Sequence, residues 1–212
     1  MSQTLSMIIN GVLVVMSPAA WLMLALGAGD SKGLAERGVH SLKYFTVLSN
    51  LLSCLASLAY LVWCLTMGMP APTWLLALKL MAAAAVMLTF LTVIVLLGPV
   101  LGWKKMYASG NLWMHFILPL LAAVDCVLFA PVGTLPFAAT FVCAIPCALY
   151  AVWYLGKVVR HGAEKDGVVY DFYGFLRTGG NKAAAVVVVV MLTGTWLIAV
   201  ALWFISRLIG LA

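Results

Sequence analysis

Charge is scarce in this sequence. Asp, Glu, Lys and Arg make up 8% of it, where a soluble domain carries about 25%. Acidic residues are the rarer sign, 6 against 12 basic ones, leaving a net charge of +6. So little charge excludes an ordinary soluble domain. The basic excess arrives without a basic aromatic motif, so nucleic acid is not an expected partner. Histidine numbers only 3. The five cysteines, Cys54, Cys64, Cys126, Cys143 and Cys147, lie inside apolar runs and form no CxxC pair. With only His115 near membrane depth beside them, no metal site and no cofactor are expected, and the thiols read as buried packing groups. No Lys or Arg precedes the first apolar run, so the first segment reads as a retained helix, not a cleaved signal. No internal repeat is visible.

What the chain has in abundance is apolar sequence. Hydrophobic residues make up 66% of it, and the mean hydropathy is +1.15. Apolar runs of about 20 residues are long enough to cross a bilayer. The expected fold is all-α, a polytopic membrane protein of six helices in one bundle forming a single domain over 1–212. The spans are placed at 6–28, 44–67, 74–101, 112–130, 137–156 and 183–209. The short connections 68–73 and 131–136 make antiparallel hairpins of spans two–three and four–five.

Orientation follows from the basic residues. Ten of them, Lys32, Arg37, Lys43, Lys104, Lys105, Lys157, Arg160, Lys165, Arg177 and Lys182, fall in the connections after spans one, three and five. Arg207 stands alone on the other side, and Lys79 lies inside span three. The positive-inside rule puts those connections in the cytoplasm and both termini on the non-cytoplasmic side. In a bacterium this means the inner membrane.

The stretch Lys43-Tyr44-Phe45-Thr46-Val47-Leu48-Ser49-Asn50-Leu51-Leu52 opens span two. Thr46, Asn50, Ser53 and Ser57 recur on one face of it at spacings of four, three and four. Lipid offers such a stripe no hydrogen bonds, so it must face protein or water. His115 enters span four from the same side as Thr46, at nearly equal depth. A hydroxyl and an imidazole on facing helices at one depth are the minimum for nucleophilic catalysis. The alternatives are a Thr46 hydroxyl bonded to its own helix and a His115 serving as an interhelical hydrogen bond. Asn111, one turn before His115, orients the imidazole, donates to an oxyanion or caps the helix. Ser49, Asn50 and Asp171 are further supporting candidates. Asp171 lies in the aromatic segment Tyr170-Asp171-Phe172-Tyr173-Gly174-Phe175, an interfacial belt or a lid, and is the best third group for His115. Lys79 and Asp125, at matched depth in spans three and four, are expected to form a structural ion pair. The alternative has Lys79 snorkelling outward beside a protonated or water-bonded Asp125.

The segment Lys43-Tyr44-Phe45-Thr46-Val47-Leu48-Ser49-Asn50, followed by Asn111-Leu112-Trp113-Met114-His115-Phe116-Ile117-Leu118-Pro119, resembles the androgen-induced and androgen-dependent membrane proteins and their bacterial relatives. The eukaryotic members are multi-pass threonine hydrolases of fatty-acid esters of hydroxy fatty acids. The resemblance implies Thr46 as nucleophile and His115 as base, acting on an amphiphilic lipid ester, with membrane lipids as the other partners. Bacterial members often carry an Asp after the Pro, as Asp125 stands here. The late segment departs from the pattern, because it lacks the family's prolines. Lys43, Arg37, Lys104 and Lys105 are placed to hold a substrate carboxylate. Two other functions fit the same residues: a transporter with a polar intramembrane pathway, and a lipid-binding membrane protein without chemistry.

Overall fold

The computed structural model describes residues 2–27 and 38–211. It has six helices long and apolar enough to cross a membrane: Gln3–Ala25, Phe45–Thr66, Thr73–Val100, Gly110–Leu128, Ala139–His161 and Lys182–Gly210. The protein is an integral multi-pass membrane protein, nearly all helix.

The first span buries Ser6, Asn10, Leu13, Ser17, Ala20 and Leu24. Their spacing alternates between four and three residues, so they line one narrow face, which packs on the second and fourth spans. The second span buries Asn50, Ser53, Ser57 and Tyr60, while Leu48, Leu55, Leu58, Val62 and Leu65 are exposed. Its polar stripe thus faces protein. The third span is central and touches the second, fourth and sixth. Ala82, Ala83, Ala84, Ala85 and Val86 are all buried, so small side chains let neighbours close in on every side of that helix.

Helix ends depart from the sequence reading where apolarity and helicity part company. The fifth span runs on to His161, past the expected end at 156. Lys157 and Arg160 there are exposed, and a helix end with snorkelling cations is stable at a membrane surface. The last helix begins at Phe175, well before 183. Between these two helices Glu164–Lys165 and Val168–Val169 pair as a two-stranded antiparallel hairpin. The turn is Asp166-Gly167, both at positive φ, the residue pair that two-residue hairpin turns favour.

At the opposite end the short connection 131–136 seats against the last helix. Gly133 donates its N–H to Ser206 Oγ at 3.2 Å. A Cβ on Gly133 would stand 2.3 Å from the Arg207 backbone nitrogen. Gly133→Ala should therefore force the two backbones apart and lower stability by about 1–3 kcal/mol, the usual cost of overpacking. Reversible unfolding in micelles measures it, and an unchanged midpoint would show that the clasp contributes nothing.

Candidate active site

Thr46 sits one residue into the second helix, which starts at Phe45. It lines a cavity of about 180 Å³ whose wall includes Thr89, Thr92 and Val93 of the third span, Tyr150 and Tyr154 of the fifth, and Tyr173 and Phe175. Thr89 and Thr92 bond their hydroxyls back to Val86 and Leu88 carbonyls, at 2.7 and 2.8 Å. Thr46 differs. Among the described residues its hydroxyl makes no hydrogen bond; only its carbonyl is engaged, accepting from Ser49 Oγ at 3.1 Å and Asn50 Nδ2 at 2.8 Å. The back-bonded alternative for Thr46 is not what the structure has.

The aromatic segment packs beside this cavity on Tyr44, Phe45, Tyr150 and Tyr154. Tyr173 accepts the Phe45 N–H at 3.1 Å, satisfying one of the backbone donors left open where a helix begins. Tyr150 donates to the Lys43 carbonyl at 2.6 Å, and its ring lies 5.1 Å from that of Phe45. Phe172 packs edge-on against Tyr44 and Tyr154. The segment read as either belt or lid reaches the Thr46 cavity through Tyr173 and Phe175. Asp171, in the same segment, accepts the Tyr154 hydroxyl. It makes no hydrogen bond to His115, whose ring reaches only the Met106 carbonyl among the described residues.

His115 is buried, in a π-helical turn spanning Trp113–Ile117. Its Nδ1 lies 3.2 Å from the Met106 carbonyl oxygen, and no other hydrogen bond to the ring exists among the described residues. A carbonyl only accepts, so Nδ1 carries the proton and Nε2 is left with its lone pair in the neutral ring. The orienting group is a main-chain carbonyl, not a side chain. Asn111 donates to the Lys105 carbonyl at 3.4 Å. It ties down the turn that carries Met106 and makes no hydrogen bond to the imidazole.

The structure does not join Thr46 to His115 by a hydrogen bond, and His115 does not line the Thr46 cavity. The nucleophile and base expected at one depth thus share no hydrogen bond and no cavity among the described residues. Thr46 turns toward spans three, five and six, while His115 is held back by the Met106 turn. The two segments are nevertheless linked. Asn50 Nδ2 reaches both the Thr46 carbonyl and, at 3.2 Å, the Met114 carbonyl. One amide thus ties the peptide of Thr46 to the peptide preceding His115. Asn50 Oδ1 is buried without a partner. Ser49 and Asn50 direct their donors to main-chain carbonyls, so neither serves as an oxyanion donor here.

Of the basic rim, Lys43 lies over the Phe172 ring at 4.8 Å. Lys104 and Lys105 are exposed on the turn before the fourth span. Arg37 lies outside the described residues. In the other half of the bundle Lys79 pairs with Asp125. Lys79 is 4% exposed and does not snorkel. Two residues of the first span complete the network. Ser6 donates to Asp125 Oδ1 at 2.6 Å and Asn10 to Oδ2 at 3.0 Å, while Lys79 donates to Asn10 Oδ1. Lys79 also stands 4.8 Å from the Tyr60 ring centroid. In the sequence Ser6 and Asn10 announce themselves only by their four-residue spacing on an apolar helix. No group of His, Cys, Asp and Glu among the described residues has the makings of a metal site. Compared with family models, with characterised proteins and with solved structures, the chain matches none.

Proposed function

We propose that this protein is an intramembrane hydrolase of amphiphilic lipid esters, such as fatty-acid esters of hydroxy fatty acids, with Thr46 as nucleophile and His115 as base. The observation that carries this reading is the Thr46 hydroxyl. It is uncommitted, among the described residues, on a residue that lines the cavity, while Thr89 and Thr92 of the same wall are bonded into their helix. The mostly apolar wall suits an acyl chain. The basic connections at this end suit a substrate carboxylate and put that end in the cytoplasm.

In the reaction His115 Nε2 accepts the Thr46 proton, and Oγ attacks the ester carbonyl. The bond to the alcohol breaks as His115 returns the proton to the leaving oxygen, giving an acyl-threonine. His115 then takes a proton from water, whose oxygen attacks the acyl carbon, and Thr46 is regenerated with release of the acid. At the start of the second span the Phe45 N–H is given to Tyr173 and those of Val47 and Leu48 to the Tyr44 carbonyl, so among the described residues the Thr46 N–H, at the positive helix end, is the donor left for an oxyanion. The first step needs Thr46 and His115 to close on each other across Asn50. Such hydrogen bonds commonly tighten only when substrate is bound.

A second reading, a lipid-binding protein without chemistry, is favoured by one observation: the cavity that Thr46 lines leaves His115 out. Covalent labelling separates the two. An alkyl fluorophosphonate should modify the wild-type protein on the peptide containing Thr46, and Thr46→Ala should abolish the adduct seen by mass spectrometry. Wild-type protein that takes no label, while still binding fatty acid, would leave only the second reading.

A further inference from the structure

The second span carries two serines that do not bond into their own helix. A Ser or Thr inside an apolar helix commonly gives its hydroxyl to a carbonyl one turn back, as Ser49, Thr89, Thr92 and Thr195 do here. Ser53 and Ser57 differ. They are 3% and 1% exposed, and neither hydroxyl makes a hydrogen bond among the described residues. Burying a hydroxyl without a partner is costly, and two of them one turn apart point to something that both can bond.

Both serines line a cavity of about 10 Å³, together with Lys79, Leu13 and four alanines. Every residue of that lining is buried, so the cavity lies inside the bundle. Its volume is about the least in which one water is held, and a buried water is retained where two to four polar groups meet it. Three polar residues line this cavity: Ser53, Ser57 and Lys79. The Lys79 ammonium has three protons to give. Asn10 and Asp125 accept two of them. Among the described residues the third has only the Tyr60 ring, whose centroid is 4.8 Å away. Ser57 stands one turn before Tyr60 on the same helix face, so the serine and the ammonium approach the cavity from neighbouring positions.

We infer that this cavity is a binding site for one water molecule, which accepts the third Lys79 proton and donates to the Ser53 and Ser57 hydroxyl oxygens. Size and charge select this occupant. A chloride ion is larger than the cavity, and the Lys79 charge is already met by Asp125. A metal cation would be repelled by the ammonium. The water brings the second span into a hydrogen-bonded network whose other members stand on the first, third and fourth spans. It also completes the donor set of Lys79, so that the buried cation has an oxygen for each of its protons. The site does not depend on hydrolysis at Thr46.

Oxygen-17 magnetic relaxation dispersion of the full chain in micelles tests this, because it counts the long-lived waters held inside a protein. Ser53→Ala with Ser57→Ala leaves Lys79 as the one polar group at the cavity, too few to hold a water. This variant should show one long-lived water fewer than wild type. Ala83→Val, which fills the cavity with both serines intact, should lose the same water. Thr195→Val removes a buried hydroxyl that is already bonded to the Met191 carbonyl, and should leave the count unchanged. Far-ultraviolet circular dichroism shows which variants are folded; should the valine not fit, the serine pair decides. An unchanged count in the serine pair, or in a folded Ala83→Val, would overturn the site. So would an equal loss in Thr195→Val. Chlorine-35 relaxation enhanced by wild type but not by the serine pair would also overturn it, since that would mark the occupant as chloride.

Discussion

Thr46→Ala is expected to remove hydrolysis of a long-chain ester bearing a free carboxylate, lowering kcat at least about a thousandfold. His115→Ala should do the same. If the two act as a unit, the double variant should be little worse than either alone, because groups that share one step are strongly non-additive. Thr46→Ser keeps the hydroxyl and should retain some activity. The structure adds a discriminating case. Asn50 bonds the carbonyls of Thr46 and Met114, so Asn50→Ala should cost activity by loosening the relation of the two helices while keeping both reacting groups intact. Its effect should be smaller, roughly tenfold to a hundredfold, as expected for misplaced but intact groups. Ester turnover by the purified variants in micelles is the measurement. Thr46→Ala hydrolysing at the wild-type rate would end the proposal.

Asp125→Ala should be the most damaging single change to stability among the residues described. Lys79 is then left as a buried cation without its partner, a loss of about 3–5 kcal/mol for pairs of this kind. Combining it with Lys79→Met should recover part of that loss. Recovery should remain incomplete, because Ser6 and Asn10 also bond to the carboxylate. Their polar groups would stay behind in the core without partners. Replacing these two as well by apolar residues of similar size should recover most of the remainder. Denaturant unfolding in micelles reads these values. Strict additivity of the Lys79 and Asp125 effects would show that the two do not act as a pair.

The spans were legible because bilayer thickness sets a length that apolar runs announce. Their ends were less so. Helicity continues through Lys157 and Arg160 after the apolar run stops, since interfacial cations need no change of backbone. The hairpin at Asp166-Gly167 had a readable turn pair in a stretch that hydropathy alone left featureless. In the site, Thr46 and His115 could be placed in depth from the sequence but not in azimuth. Their depth follows from counting residues, whereas the direction each faces follows from which neighbours pack where. The sequence also could not reveal that Met106 orients His115, because a main-chain carbonyl has no letter. The assignment of Asp171 failed for a related reason: proximity to aromatics was visible, but the choice of Tyr154 was not.

The third span carries one further consequence. Near one end it holds Lys79 in the ion-pair network; near the other, Thr89, Thr92 and Val93 wall the cavity. Between them lies the band of buried alanines. Side chains that short cannot swing aside, so neighbours rest almost directly on the helix backbone. The helix therefore behaves as a beam clamped at its middle. Alanine has no rotamers to change, so a load at the cavity end cannot be taken up within the band.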